Sequence, residues 1–226
     1  MNLPSNIVRL PPEHAHYAAE ILSLAFQADP LITYLIPDEE KRISHAYQFY
    51  RVLVTNGLRV GEVYGILAHE NSNDSKDVNE ITNPYAAISV WYHGGNSLAV
   101  LDMIRSGVLR YFKYRFFYRM IPLMGTLQRT EKIHHELVPF DHYYLSLLGA
   151  HPNYKGKKYT ATLLRTLFAE FDRNNLPSYL ETNKESNVPV YQHFGYKIIG
   201  ETDVRKAGIH IWSMLRSAET LQKTES

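Results

Sequence analysis

Apolar positions recur along the chain in two rhythms, every second residue and every third to fourth, and the changes of rhythm mark the elements. Ile7 to Leu10 reads as a short opening strand. Pro11-Pro12-Glu13 starts a helix in which Ala15, Ala18, Ala19, Leu22 and Ala25-Phe26 fall at helical spacing. Asp29-Pro30 breaks it. Pro37-Asp38-Glu39-Glu40 starts a second helix, with Pro and acids in the first turn, and Ile43, Tyr47, Tyr50 and Val54 carry it to about Asn56-Gly57. Strands are predicted from about Leu58 to His69 and from about Ile81 to Tyr92, joined by the polar loop 70–77.

Residues 97 to about 137 read as helical, with breaks near Gly107 and at Pro122. Tyr143 to Ala150 is a strand ending at His151-Pro152-Asn153. Lys155 to Asn174 is a helix opened by glycine, with Leu163, Leu164, Leu167, Phe168 and Phe171 on its inner face. Ser178 to Thr182 is a strand, Val188 to Phe194 a short helix closed by Gly195, and Tyr196–Gly200 and Ile209–Leu215 are the last strands. Strands and helices alternate only in part, so the reading is mixed α/β around one sheet, a single domain over residues 1–226.

Composition narrows the chemistry. The chain has 226 residues and no cysteine, which excludes disulfides, Cys-ligated zinc and a thiol nucleophile. A net charge of +1 argues against a generally basic nucleic-acid binder. The N-terminal residues show no signal-peptide pattern, and no apolar run approaches the roughly 18 residues of a membrane span, so a cytoplasmic location is expected. No metal is expected either. His134-His135 and His14-x-His16 lack a third ligand at useful spacing, and the H-E-x-x-H pattern is absent. Residues 107–120 interleave aromatic and basic side chains, a pattern that can bind single-stranded nucleic acid or a membrane surface. As a helix, however, Leu109, Phe112, Phe116 and Met120 share one face, which reads as core packing. Neither partner is expected.

The informative unit is Tyr143 to Gly200. A strand passes through Tyr154-Lys155-Gly156-Lys157-Lys158-Tyr159-Thr160 into a long helix, and free N–H groups at a helix N-terminus attract anions. Three lysines add charge. A strand ending in Leu180-Glu181-Thr182-Asn183 follows, then Asn187-Val188-Pro189-Val190-Tyr191-Gln192-His193-Phe194-Gly195-Tyr196.

In Leu147 to Pro152, the Lys155–Thr160 turn, Leu180–Asn183 and Asn187–Tyr196 the chain resembles the GNAT acetyltransferase superfamily, most strongly over residues 142–216. The last segment is similar to the family's N-x-x-x-Y-x-x-x-G-F/Y ending. Asp29-Pro30-Leu31 and Tyr34 to Asp38 look like small-molecule members, including the puromycin-acetylating type. The resemblance implies the GNAT acyl-CoA N-acyltransferase fold, a mixed, mostly antiparallel sheet flanked by helices, with a helical insertion at about 97–137 before the cofactor strand. It implies transfer from acetyl-CoA to a small-molecule amine, by a monomer or homodimer. The cofactor would lie along Leu147, Leu148, Gly149 and Ala150 and on Lys155, Gly156, Lys157, Lys158, Tyr159 and Thr160, with Asn187 in contact. Tyr191 matches the acid that protonates the departing thiolate.

Where the family turn reads R/Q-x-x-G-x-G/A, this chain has Lys155, Lys158 and Thr160. Both signature glycines are replaced, and a binding protein without turnover is the alternative that this suggests. Lys158 and Thr160 can still offer N–H groups if their backbone conformations are ordinary. The base is open among Glu181, His135 and His142. Each also has a structural reading, Glu181 as an amine anchor or a carboxylate satisfied by N–H groups. Without Cys, no acetyl-cysteine can form, which favours direct transfer in a ternary complex. The 97–137 segment is expected to cover the acceptor site.

Overall fold

The computed structural model describes residues 3–68, 83–94, 105, 116–205 and 207–218. The strands are β1 (Ile7–Arg9), β2 (Glu62–Leu67), β3 (Tyr85–His93), β4 (Tyr143–Ala150), β5 (Ser178–Thr182), β6 (Lys197–Val204) and β7 (Ile209–Arg216). They form one sheet in the order β1-β2-β3-β4-β5-β7-β6, antiparallel except for the β4–β5 pair. The helices are α1 (Ala15–Ala25), α2 (Pro30–Leu35), α3 (Glu39–Val60), α4 (Phe116–Met120), α5 (Met124–Leu137), α6 (Tyr159–Arg173) and α7 (Val188–His193).

Alternation along the strands divides the core in two. Val63, Ile88, Val90 and Tyr92 face α1, α2 and α3, where Ala18, Leu22, Ile32, Phe49 and Leu53 are buried. Tyr64, Ala87, Trp91, Leu145, Leu180 and Met214 face α6, whose Leu163, Leu164, Leu167, Phe168 and Phe171 fill the opposite layer. Each such side chain, fully buried, contributes roughly 1.5–3 kcal/mol. The far end of α6 is fastened to β7 by a bidentate ion pair. Arg216 donates from Nη1 and Nη2 to the two Asp172 oxygens at 2.8 and 2.7 Å, and its guanidinium lies 4.5 Å from the centre of the Phe168 ring.

The sequence reading and the structure differ at several boundaries. Leu58 to Val60 belong to α3, not to a strand, because the helix ladder runs on until the Gly61 N–H bonds the Gly57 carbonyl at 2.9 Å. α1 ends at Ala25, before Asp29-Pro30, which instead starts α2: the Asp29 carboxylate accepts from Leu31 N–H at 2.9 Å and Ile32 N–H at 3.4 Å, with Pro at the first helical position. Lys155 to Lys158 are a turn, and α6 begins at Tyr159. β6 runs on to Val204. Of the expected helical segment, 116–137 is helical apart from a 3-10 turn at Ile121–Leu123; the rest, like the 70–77 loop, lies outside the described residues save Arg105. Among the described residues no helix is long and apolar enough to cross a membrane.

Candidate active site

β4 and β5 pair at only three rungs, Tyr143 with Ser178, Tyr144 with Tyr179 and Leu145 with Leu180. β4 then runs on for five residues, Ser146 to Ala150, with no strand partner on its β5 side among the described residues. The strands part there and leave a row of backbone N–H and C=O groups open, the geometry that an amide-containing chain can complete. The parting coincides with a bulge. Val90 pairs with Leu147 and Trp91 with Leu145, so Ser146 is an extra residue in β4. The bulge resets the alternation, placing Leu147 with Tyr144 on the α1–α3 side and Leu148 and Ala150 on the α6 side.

The open stretch is closed from above by the end of α1. A Cβ on Gly149 would lie 3.1 Å from both Ala25 Cβ and Leu22 Cδ2, so only glycine lets the helix rest there without a shift. The residues after α1 are then tied to the end of β5, where Asn183 Nδ2 donates to Asp29 Oδ1 at 3.2 Å.

β4 leads through the turn to α6. Gly156 has φ 79° and Lys158 φ 63°, both left-handed. Lys158 therefore adopts the conformation for which glycine is favoured, at a cost of about 1–2 kcal/mol. Lys158 is also the N-cap, and no side chain caps the α6 N-terminus. Lys155, Lys157 and Lys158 are exposed around it. Oriented N–H groups with three ammonium groups fit a pyrophosphate. Lys158→Gly should raise stability by between zero and about 1 kcal/mol, strain relief being offset by added freedom of the unfolded chain. Thermal melts check this; a loss of stability would show that the Lys158 side chain matters more than its backbone.

Glu181 is the first β5 residue beyond the last β4–β5 rung. Tyr179 OH donates to its Oε1 at 2.7 Å. Burial pushes the carboxyl up to about 7; the Tyr179 bond works against that and the charge of Glu131 on α5 adds to it. Tyr191, on α7, is half-buried in the α6-side cluster that also takes in Leu148, Ala150, Tyr154 and Tyr159. Burial pushes its phenol up to about 12. Asn187, just before α7, donates from Nδ2 to Thr182 Oγ1 at 3.2 Å and so fastens α7 to the end of β5.

The two adjacent histidines on α5 separate. His135 is exposed and lies 3.4 Å from Glu131. His134 is buried, stacked on Tyr179 and bonded to His142. The inward role thus falls to His134, which spacing alone did not single out from its neighbour. In the expected acceptor cover, Arg119 lies over the Tyr34 ring at 5.4 Å and Met120 packs against the α1–α3 core. Among the described residues no cluster of His, Asp and Glu has the make-up of a metal site.

A seven-stranded, mostly antiparallel sheet that opens between two parallel neighbours, with the open strand feeding a helix N-terminus, is the GNAT acyltransferase fold. No protein-family model matches the chain. An uncharacterized N-acetyltransferase of Schizosaccharomyces pombe is 29% identical over 222 residues, covering 92% of this chain and 81% of that one. A structure from Corynebacterium glutamicum, described as histone acetyltransferase HPA2 and related acetyltransferase, is similar with a TM-score of 0.63 at 13% identity, over 94% of this chain and 96% of that one. Drosophila melanogaster polyamine N-acetyltransferase, which forms N-acetylagmatine, is similar with a TM-score of 0.53 at 13% identity, over 93% of this chain and 99% of that one. The solved structures share the fold of this chain, and the sequence relative is named an N-acetyltransferase.

Proposed function

We propose that this protein is an acetyl-CoA-dependent N-acetyltransferase that acts on the amine of a small molecule by direct transfer in a ternary complex. The observation that carries the reading is the parting of β4 from β5 after Leu145, with the uncapped α6 N-terminus beyond its far end and Glu181 at its fork. The N-acetyltransferase relative supports the reaction, and the amine-acetylating Drosophila neighbour supports a small acceptor, as does the resemblance of the Asp29–Asp38 stretch to the puromycin-acetylating type.

Acetyl-CoA supplies a thioester whose carbonyl carbon an amine can attack. The open edge of Ser146–Ala150 would hold its amide-bearing arm, and the Lys155–Thr160 turn its pyrophosphate. Glu181 takes the proton that an ammonium must lose before its nitrogen can attack, and a base with pKa near the working pH is well matched to that step. Backbone N–H groups near Leu148 can stabilise the oxyanion. Tyr191 approaches from the α6 side, the face opposite Tyr144 and Leu147. It keeps its proton throughout the neutral range and can donate it as the thiolate leaves. Without cysteine the acetyl group has no thiol on which to rest.

The test is thiol release from acetyl-CoA with a panel of small amines, together with calorimetry. Wild-type protein should bind acetyl-CoA and release thiol with at least one amine. Tyr191→Phe should lower kcat by roughly a hundredfold with little change in acetyl-CoA affinity. Binding without release on any amine would favour the non-catalytic alternative. The left-handed backbone at Lys158, which preserves a glycine-like turn, weighs against it.

A further inference from the structure

The site contains a buried assembly that the reaction above does not use. Phe140, His142 and His134 form a chain of short contacts that ends against Tyr179. His142 Nδ1 lies 2.7 Å from the Phe140 carbonyl oxygen, and His142 Nε2 lies 2.8 Å from His134 Nε2. A carbonyl can only accept, so His142 carries its hydrogen on Nδ1. Its Nε2 then has a lone pair, and His134 must donate from Nε2. One arrangement of hydrogens satisfies the chain with both rings neutral. Burial and the neighbouring imidazoles push His134 down to about 3, and burial lowers His142 as well, so both stay neutral through the working range.

The consequence is mechanical. With its Nε2 bond fixed, the His134 ring cannot turn, and it lies flat on Tyr179, centroids 4.0 Å apart and planes within 6°. Tyr144 flanks the stack, 5.2 Å from His134 and 5.6 Å from Tyr179. A phenol held on its face keeps its oxygen in one place, and from there the hydroxyl donates to Glu181 Oε1 at 2.7 Å. Tyr179 and Glu181 are two residues apart on one strand and so share a face. Among the described residues Glu181 Oε2 takes no hydrogen bond.

We propose that Tyr179, clamped by the neutral His134–His142 pair, is a positioning residue that holds one oxygen of Glu181 and leaves the other directed to the fork between β4 and β5. The proposal rests on the acetyl-transfer reading for its purpose but not for its geometry. Burial sets the Glu181 charge first, then Tyr179 on its own strand and Glu131 on α5, while Tyr144 on β4 feels the Glu181 charge in turn. The Glu181 rung partner on β7, Ser213, is uncharged. Tyr179 is the one among them that donates a hydrogen bond to the carboxylate.

The experiment uses the whole chain labelled with carbon-13 at glutamate carboxyls, the Glu181 signal being assigned by its loss in Glu181→Gln. In Tyr179→Phe the Glu181 titration should move up by about one to two pH units, because the donated bond favours the charged form. The acid limb of kcat against pH should move with it, while kcat at high pH recovers and acetyl-CoA affinity holds. His134→Phe keeps the stack but loses the bond to His142, and should move the titration in the same direction by less. If Glu181 titrates at the same pH in wild type and Tyr179→Phe, the proposal is overturned. Protein that releases no thiol with any amine would defeat the acetyl-transfer reading, and the titration would still decide whether Tyr179 holds Glu181.

Discussion

Glu181→Gln should lower kcat at neutral pH by about a hundredfold or more and leave acetyl-CoA affinity within about twofold, because it removes a base and not a cofactor contact. The variant is nearly isosteric. It can still accept the Tyr179 hydrogen bond, so the strand end keeps its shape. The pH dependence has a definite sign. The folded carboxyl is held up to about 7, so wild-type activity rises as pH climbs through that value and the carboxylate forms. Glu181→Gln should lack this limb. Stability runs the other way. A carboxyl raised above its unfolded value contributes most below about pH 4.5, and that contribution is lost as pH rises through about 7. The Gln variant should therefore be no less stable than wild type at pH 8, which separates lost chemistry from lost folding. Steady-state kinetics from pH 6 to 9 with parallel melts measure both. Unchanged turnover would remove Glu181 from the base role.

The largest expected loss of stability is at the other end of α6. Arg216→Ala removes the bidentate bond to a largely buried Asp172 carboxylate, and such a loss costs about 3–5 kcal/mol. For a chain of this size the melting temperature should fall by roughly 6–20 °C. Asp172→Asn should lower it less, since the amide oxygen still accepts one of the two bonds. Replacing both residues together, Asp172→Leu with Arg216→Met, should cost much less than Arg216→Ala, because no uncompensated charge remains. Thermal melts of the three variants test this. A fall of under about 1 kcal/mol for Arg216→Ala would show that the pair is effectively solvated.

The strand, turn, helix and strand from Tyr143 to Thr182 were legible because the apolar period changes twice within 40 residues. Leu163, Leu167 and Phe171 repeat at helical spacing, and Tyr143 to Ala150 is too short and apolar for an exposed helix. Other features belong to pairs of elements and leave no local mark. The bulge at Ser146 is a mismatch between two strands, and Tyr-Leu-Ser-Leu-Leu reads as uninterrupted strand. The His134–Tyr179 stack joins residues far apart in the chain, so adjacent His134 and His135 look equivalent until α5 is packed. The Lys158 backbone left no mark for a different reason. Lysine rarely takes positive φ, and here the turn between Gly156 and α6 imposes it. Tyr191 stands out in the sequence only through its spacing from Asn187 and Gly195, since one tyrosine among 17 carries no signal of its own.

The account turns on whether an acetyl group moves from CoA to an amine on this protein. The most direct measurement is mass spectrometry of small amines, polyamines among them, incubated with acetyl-CoA and either wild-type protein or Glu181→Gln. An N-acetylated product is expected from at least one amine with wild-type protein, formed in step with free CoA, and far less with the variant. Acetyl-CoA left intact with every amine, by protein shown to be folded, would contradict it.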